Sequence, residues 1–281
     1  MNRKFLMIST LFLGLTIISC NKGDKRIEKS VVATTKEVVN ETEDVNQKKN
    51  TRAQIYAKAE VPVICYHRIE DGHKGDYTVS PATFKAHMKI LADSGYHSIL
   101  PAQLYDYLVY NKTLPEKPFM ITFDDSRVEH AVIAAPVMEK NGFRGTFFIM
   151  TITYNKKNYM TTDQITQLAK AGHTIGLHSW DHTMVTKYKE QADWQKEVVE
   201  PKKKLEKIVG LPVEYWAYPN GVYDHKGAEE LSKYFKISFT LFSKRDSLQL
   251  LQTVRRIIVP ECTPQGLLKS MRRTFSKQKK V

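Results

Sequence analysis

The sequence predicts an α/β fold, a parallel sheet with crossover helices, and three observations carry that expectation. Short apolar runs alternate with segments of helical period from about residue 61 onward. The run Phe119-Met120-Ile121-Thr122-Phe123 is apolar apart from Thr122, which suits a strand covered on both faces. Finally, His67, Asp124, Asp125, His178 and Pro219 each follow such a run, so they would share the carboxyl end of one sheet, where α/β folds carry their sites.

In chain order, residues 1–20 come first. Arg3 and Lys4 precede an apolar stretch from Phe5 to Ile18 that ends in Ser19-Cys20, the pattern of a secretory signal. The stretch is shorter than the roughly 20 residues that span a bilayer. A small residue followed by cysteine there resembles a bacterial lipoprotein processing site. That resemblance implies lipid attachment at Cys20 and a membrane-anchored, extracytoplasmic protein of the cell envelope. Residues 21–55 read as a flexible charged linker, since Asn21 to Arg52 contains no aromatic residue and no proline. The remainder, 56–281, is expected to be one catalytic-sized domain, because 42% apolar content with 14 Tyr and 12 Phe supplies a substantial core.

Within that domain Val61-Pro62-Val63-Ile64-Cys65-Tyr66 reads as a short buried strand ending at His67. Ser80-Pro81 is a cap followed by a first-turn proline, Phe84, Met88 and Leu91 recur on one helical face, and Gly95 closes the helix. Further helices are expected at 101–110, 128–140, 161–171, 190–209, 224–234 and 264–275. Strands are expected near 97–100, 118–123, 144–150, 173–177, 213–218, 237–242 and 256–260, enough to close a barrel, although periodicity alone leaves barrel and open sheet undecided.

The formal net charge is +13, so anionic partners or a solvated basic surface are implied. Nucleic acid is excluded as a partner by the lack of any binding module and by the export signal. With Cys20 set aside, Cys65 and Cys262 lie beside apolar segments and read as buried free thiols, a disulfide being the alternative in an exported protein.

The chemistry concentrates in two motifs. Asp124 and Asp125 are adjacent carboxylates at a strand end, tolerable if a cation is bound or one acid keeps its proton; they could also merely cap the next segment. His178-Ser179-Trp180-Asp181-His182 follows the apolar Thr174-Ile175-Gly176-Leu177 and places two imidazoles four residues apart. Asp125, His178 and His182 make a donor set of the kind that holds a catalytic zinc, three protein groups with a position left for water.

These residues resemble the polysaccharide deacetylases, carbohydrate esterase family 4. Thr122-Phe123-Asp124-Asp125 and His178 to His182 look like the family's first two motifs, and Trp216-Ala217-Tyr218-Pro219-Asn220-Gly221 is similar to its third. Tyr66-His67 resembles the form found in poly-N-acetylglucosamine deacetylases. The resemblance implies a distorted (β/α)7 barrel, a divalent metal, most simply Zn2+, on Asp125, His178 and His182, and Asp124 as the base. It implies His67 as the acid, since no histidine follows His225, and the Asn220 backbone amide as an oxyanion donor beside Pro219. Trp216, Tyr218 and Trp180 are expected to line a sugar groove, with core packing the expected role of at least one of them. The family's third motif usually carries an arginine that holds the base, and Ala217 stands there instead; Ser126 stands where glycine is common. The expected activity is removal of N-acetyl groups from an extracytoplasmic N-acetylhexosamine polysaccharide by a monomer. An O-acetyl polysaccharide esterase and a non-catalytic glycan-binding lipoprotein are the alternatives.

Overall fold

The computed structural model of the chain describes residues 48–72 and 75–275. The signal, Cys20 and most of the 21–55 linker lie outside the described residues. The end of that linker is built into the domain. The Asn50 amide donates to the Val109 carbonyl at 2.7 Å, Thr51 and Gln54 form a reciprocal cap on helix Arg52–Ala57, and Ile55 is buried. The folded body therefore begins by Asn50 rather than at 56; a capping box and one apolar side chain suffice to dock one turn of a charge-rich segment.

Strands Val63–Tyr66, Pro118–Phe123, Thr146–Ile149, Thr174–Leu177, Tyr215–Ala217 and Ile237–Thr240 lie side by side, all parallel, in chain order. The segment 254–258 then joins the two edges. Val254–Arg255 pairs with Ile237–Thr240, Ile257–Ile258 pairs with Val63–Tyr66, and between them the Arg256 amide donates to the Thr240 carbonyl. One short stretch thus serves as the seventh stave, and the fold is the distorted (β/α)7 barrel.

Why these residues form staves follows from burial. Alternate side chains along each strand divide between two apolar clusters: Ile64, Ile121, Phe147 and Trp216 in one, Val63, Met120, Phe148 and Ala217 in the other. Both faces are covered, as the unbroken apolar runs require. The helices follow the expected segments: Pro81–Asp93, capped by Ser80 Oγ accepting from the Thr83 amide, then Pro101–Tyr110, Thr162–Lys170, His225–Leu231 and Pro264–Phe275. Two further helices, Ala135–Lys140 and Glu200–Val209, are entered through wide π turns, His130–Ala134 and Gln195–Val199. Each π turn carries a buried polar side chain toward the carboxyl end of the barrel, His130 on the first and Glu197 on the second.

Candidate active site

Strand Pro118–Phe123 delivers the acid pair. The Asp124 amide donates to the Tyr66 carbonyl at 3.2 Å, and the backbone then turns through two left-handed residues, Asp125 (φ 71°) and Ser126 (φ 59°). The reversal splits the acids: Asp124 points into the barrel, 1% exposed, and Asp125 stands at its mouth. Ser126 holds the reversal in place, its hydroxyl accepting from the Met150 amide at 2.7 Å and its carbonyl from the Met160 amide at 3.0 Å. Serine can therefore stand where glycine is common, with the strain of a positive φ offset by a buried hydrogen bond.

Strand Thr174–Leu177 delivers the histidines. His178 Nδ1 donates to the Ala217 carbonyl at 2.8 Å, which fixes the tautomer and turns Nε2 outward as an acceptor. Ser179 and His182 are also left-handed, and Ser179 Oγ accepts from the His182 amide at 2.8 Å, folding the loop back on itself. Glu197 supports the loop, its Oε2 accepting from the Trp180 amide at 3.2 Å. As a result His178 Nε2 and His182 Nε2 each lie 3.6 Å from the same oxygen, Asp125 Oδ1.

That spacing is too long for hydrogen bonds, and Asp125 Oδ1 is buried with no partner. It is near the roughly 3.3 Å edge of a tetrahedron with bonds of about 2.05 Å. One carboxylate and two imidazoles converging on common ground with a lone pair each are a fit for a divalent metal. The local field favours a cation as well. Burial alone would raise the Asp125 carboxyl, yet His178 holds it down to about 2. Burial alone would lower His178, yet Asp124 and Asp125 raise it.

Asp124 has a partner that the sequence did not disclose. Arg256, from the closing stave, donates from Nη1 and Nη2 to the two Asp124 oxygens, at 2.7 Å each, and both side chains are buried. Burial by itself would raise the Asp124 carboxyl, but Arg256 and then His178 hold it well below the usual carboxylate range. Cys65 and His67 also approach Asp124, but the guanidinium occupies both Asp124 oxygens and supplies the positive charge there, so that cluster has no place for a second cation.

The family model described as polysaccharide deacetylase matches residues 111–234. A Bacillus subtilis (strain 168) protein named "Putative polysaccharide deacetylase YxkH" is 27% identical over 237 residues, 83% of this chain and 84% of that one. The crystal structure of BC0361, a polysaccharide deacetylase from Bacillus cereus, superposes with a TM-score of 0.67 at 29% identity, covering 75% of this chain and 69% of the other. In the family model, in this relative and in this structure alike, what the chain resembles is a polysaccharide deacetylase. A Streptococcus pyogenes deacetylase, PplD, shares the fold with a TM-score of 0.70 at 22% identity, over 75% of this chain and 98% of its own.

The other positions expected of a polysaccharide deacetylase divide into two groups. His67 lies beside Asp124, its Nε2 3.9 Å from Asp124 Oδ2, and burial keeps its pKa below the usual value although Asp124 and Asp125 oppose this. With Asp125, His182 and Asn220 it lines an open cleft of about 460 Å³, completed by Arg68, Tyr77, Leu241 and Ile258. Asn220 is exposed on a tight turn, Pro219–Gly221, with Pro219 buried beneath it. Trp216 and Tyr218 do not line the cleft: both are fully buried in the core cluster, Trp216 against Phe235. Trp180 is half-buried under Lys196, whose Nζ lies 4.5 Å above the ring. The aromatic wall is instead Tyr77, 53% exposed, edge-on to His67 at 5.1 Å. Cys65 and Cys262 are free, the first buried and the second half-buried.

Proposed function

We infer that this polysaccharide deacetylase removes N-acetyl groups from an extracytoplasmic N-acetylhexosamine polysaccharide. The observation that carries the reading is the convergence of Asp125, His178 and His182 beside an ionised Asp124, on the wall of a cleft open to a large substrate. Asp125, His178 and His182 would hold a divalent ion, Zn2+ by the chemistry of the donors, which would supply Lewis acidity for the attacking water and the acetyl carbonyl.

The chain's own groups do the rest. Asp124 accepts the proton of the attacking water; with both oxygens on Arg256 it is a weak base, oriented and always ionised at neutral pH. The Asn220 amide, at the cleft rim, stabilises the charge that develops on the carbonyl oxygen. As the carbon–nitrogen bond breaks, His67 passes a proton to the departing nitrogen. Burial favours neutral His67, so the proton it gives is one it has first taken up, and Asp124, 3.9 Å away, is a source on the correct side of the cleft. Leu241 and Ile258 offer an apolar wall to the acetyl methyl.

Purified protein is expected to release acetate from acetylated chitooligosaccharide or poly-N-acetylglucosamine, to stop with chelator, and to lose at least about a hundredfold in kcat with Asp124→Asn. Undiminished turnover by that variant sinks the mechanism. His67 favours its neutral form, which gives the O-acetyl esterase reading some support, because an alkoxide leaves with less help than an amine. Faster acetate release from acetylxylan than from the N-acetylated sugars would select it. The cell-envelope location rests on residues 3–20, and a Cys20→Ser chain found still in the membrane fraction contradicts lipid anchoring.

A further inference from the structure

His67 sits on a short connection between strand Val63–Tyr66 and the two-residue strand Arg68–Ile69, and the peptide that joins it to Arg68 is held from both sides. The Arg68 amide donates to the Tyr77 carbonyl at 3.0 Å. On the other side, His130 Nε2 donates to the His67 carbonyl at 2.5 Å. His130 opens the π turn that follows the acid pair, and a second tie joins the same two parts of the chain: Arg127 meets Glu129 at 3.0 Å and Glu70 at 3.7 Å.

His130 is fully buried, its ring centroid 5.1 Å from that of Phe123. Burial lowers its pKa, so the ring is neutral and carries one N–H. A carbonyl only accepts, so that N–H lies on Nε2, and Nδ1 is left as a buried acceptor with no protein partner among the described residues. Such an orphan destabilises the fold. A phenylalanine would fill the same space beside Phe123 without it. What the imidazole adds is the N–H, and the N–H goes to His67.

We propose that His130 is a positioning residue for the acid step: its Nε2–H fixes the 67–68 peptide and so aims the His67 imidazole at Asp124 and the departing nitrogen. The inference rests on the deacetylase reading, in which His67 is the acid, and adds to it a fully buried residue outside the cleft. Rotation of the 67–68 peptide would swing His67 Nε2 away from Asp124 Oδ2, now 3.9 Å distant. A misplacement of about 1 Å at a reacting group costs up to about a hundredfold in rate.

The test uses the full chain with added Zn2+ and the variant His130→Phe, which keeps a ring beside Phe123 and removes the N–H. His130→Leu, also without a donor, takes its place where the first does not fold. Two substrates divide the chemistry: acetylated chitooligosaccharide, whose amine needs a proton to leave, and 4-nitrophenyl acetate, whose phenolate leaves without one. Expected is a loss of at least about tenfold in kcat on the oligosaccharide with KM unchanged, and kcat on the aryl ester within about twofold of the wild type. Added to His67→Ala, His130→Phe is expected to cost nothing more on the oligosaccharide. A further readout needs no turnover: in chelator, the Arg68 amide is expected to exchange with deuterium about tenfold faster in His130→Phe, with the Asp124 amide unchanged.

Equal kcat on the oligosaccharide in wild type and His130→Phe overturns the positioning role and leaves the deacetylase reading standing. So does an equal loss on both substrates, which a merely structural residue would give, and so does a further loss in the double variant. A wild type that releases acetate from no amide removes the deacetylase reading, and the hold on His67 is then decided by the Arg68 amide: faster exchange in the variant keeps it, and equal exchange overturns it.

Discussion

At the scale of single residues, the pair that sets the chemistry is Asp124 with Arg256. Both are buried, and each is acceptable inside the barrel only because the other is there. Replacing Arg256 by Gln leaves a buried carboxylate without its cation, at a cost of about 3–5 kcal/mol. The expected outcome is a matching drop in denaturant midpoint together with loss of acetate release. Adding Asp124→Asn to Arg256→Gln should restore much of the stability and none of the activity, since it removes the stranded charge and the base together. Independent, additive losses in the double variant would show that the two side chains do not act as a unit. Arg256 also marks a limit of sequence reading. It lies 132 positions from Asp124, inside an apolar stretch that reads as a strand, while the expected position in the third motif holds Ala217. An arginine in an otherwise apolar strand was the available signal, for a buried cation needs a partner; nothing local named which one.

At the scale of elements, the loops after the strands decide the site, and those that carry the acid pair, the two histidines and Asn220 rely on left-handed turns. Asp125, Ser126, Ser179, His182, Asn220 and Gly221 all have positive φ. Gly221 is the most constrained, because a Cβ there would meet both Leu241 Cβ at 2.3 Å and the Leu241 amide nitrogen at 2.6 Å. Gly221→Ala is therefore expected to push the 219–221 turn off the 241 loop, destabilise by more than about 2 kcal/mol, and lower kcat/KM more steeply than a core change of equal stability cost. A variant that melts lower yet keeps its kcat/KM would mean that the turn is structural only. The strands themselves were legible, since Pro118–Phe123 coincides with its apolar run and the other staves begin and end within about three residues of theirs. The faces of the strands were not. In a sheet buried on both sides, alternation carries no label for core or cleft, and so the sequence could not say which of Trp216, Tyr218 and Trp180 belonged to the core; Trp216 and Tyr218 both do. Tyr77 went unread because a lone tyrosine in a polar loop has no periodic context.

At the scale of the whole molecule, the barrel is held shut by a stave of mixed origin. Arg255 pairs bidentately with Glu60 and donates to the Thr274 carbonyl, so the closing segment ties the lead-in chain to the last helix while its neighbour Arg256 holds the base. Stability and site are therefore coupled, and pH should act on both. Burial lowers the pKa of His67, His87, His130, His173 and His182, whereas that of His178 is raised by Asp124 and Asp125. A histidine with a lowered folded pKa contributes stability that is complete above the unfolded value near 6.5 and is lost as pH falls below it, because the unfolded chain then binds the extra proton; His178 acts with the opposite sign. His87 and His173 lie away from the acid pair that raises His178, and at His130 burial prevails over it, so with chelator present the expected outcome is a melting temperature that falls between about pH 7 and pH 5, before the acids begin to titrate near pH 4. Added Zn2+ at about a hundred times its Kd should contribute about 2.7 kcal/mol at neutral pH. That increment should shrink on acidification, since protons compete at His178, and it should vanish in Asp125→Asn. A melting temperature that stays level from pH 7 to pH 5 in chelator would mean that the buried histidines do not govern the pH response. A Zn2+ increment undiminished in Asp125→Asn would place the ion elsewhere.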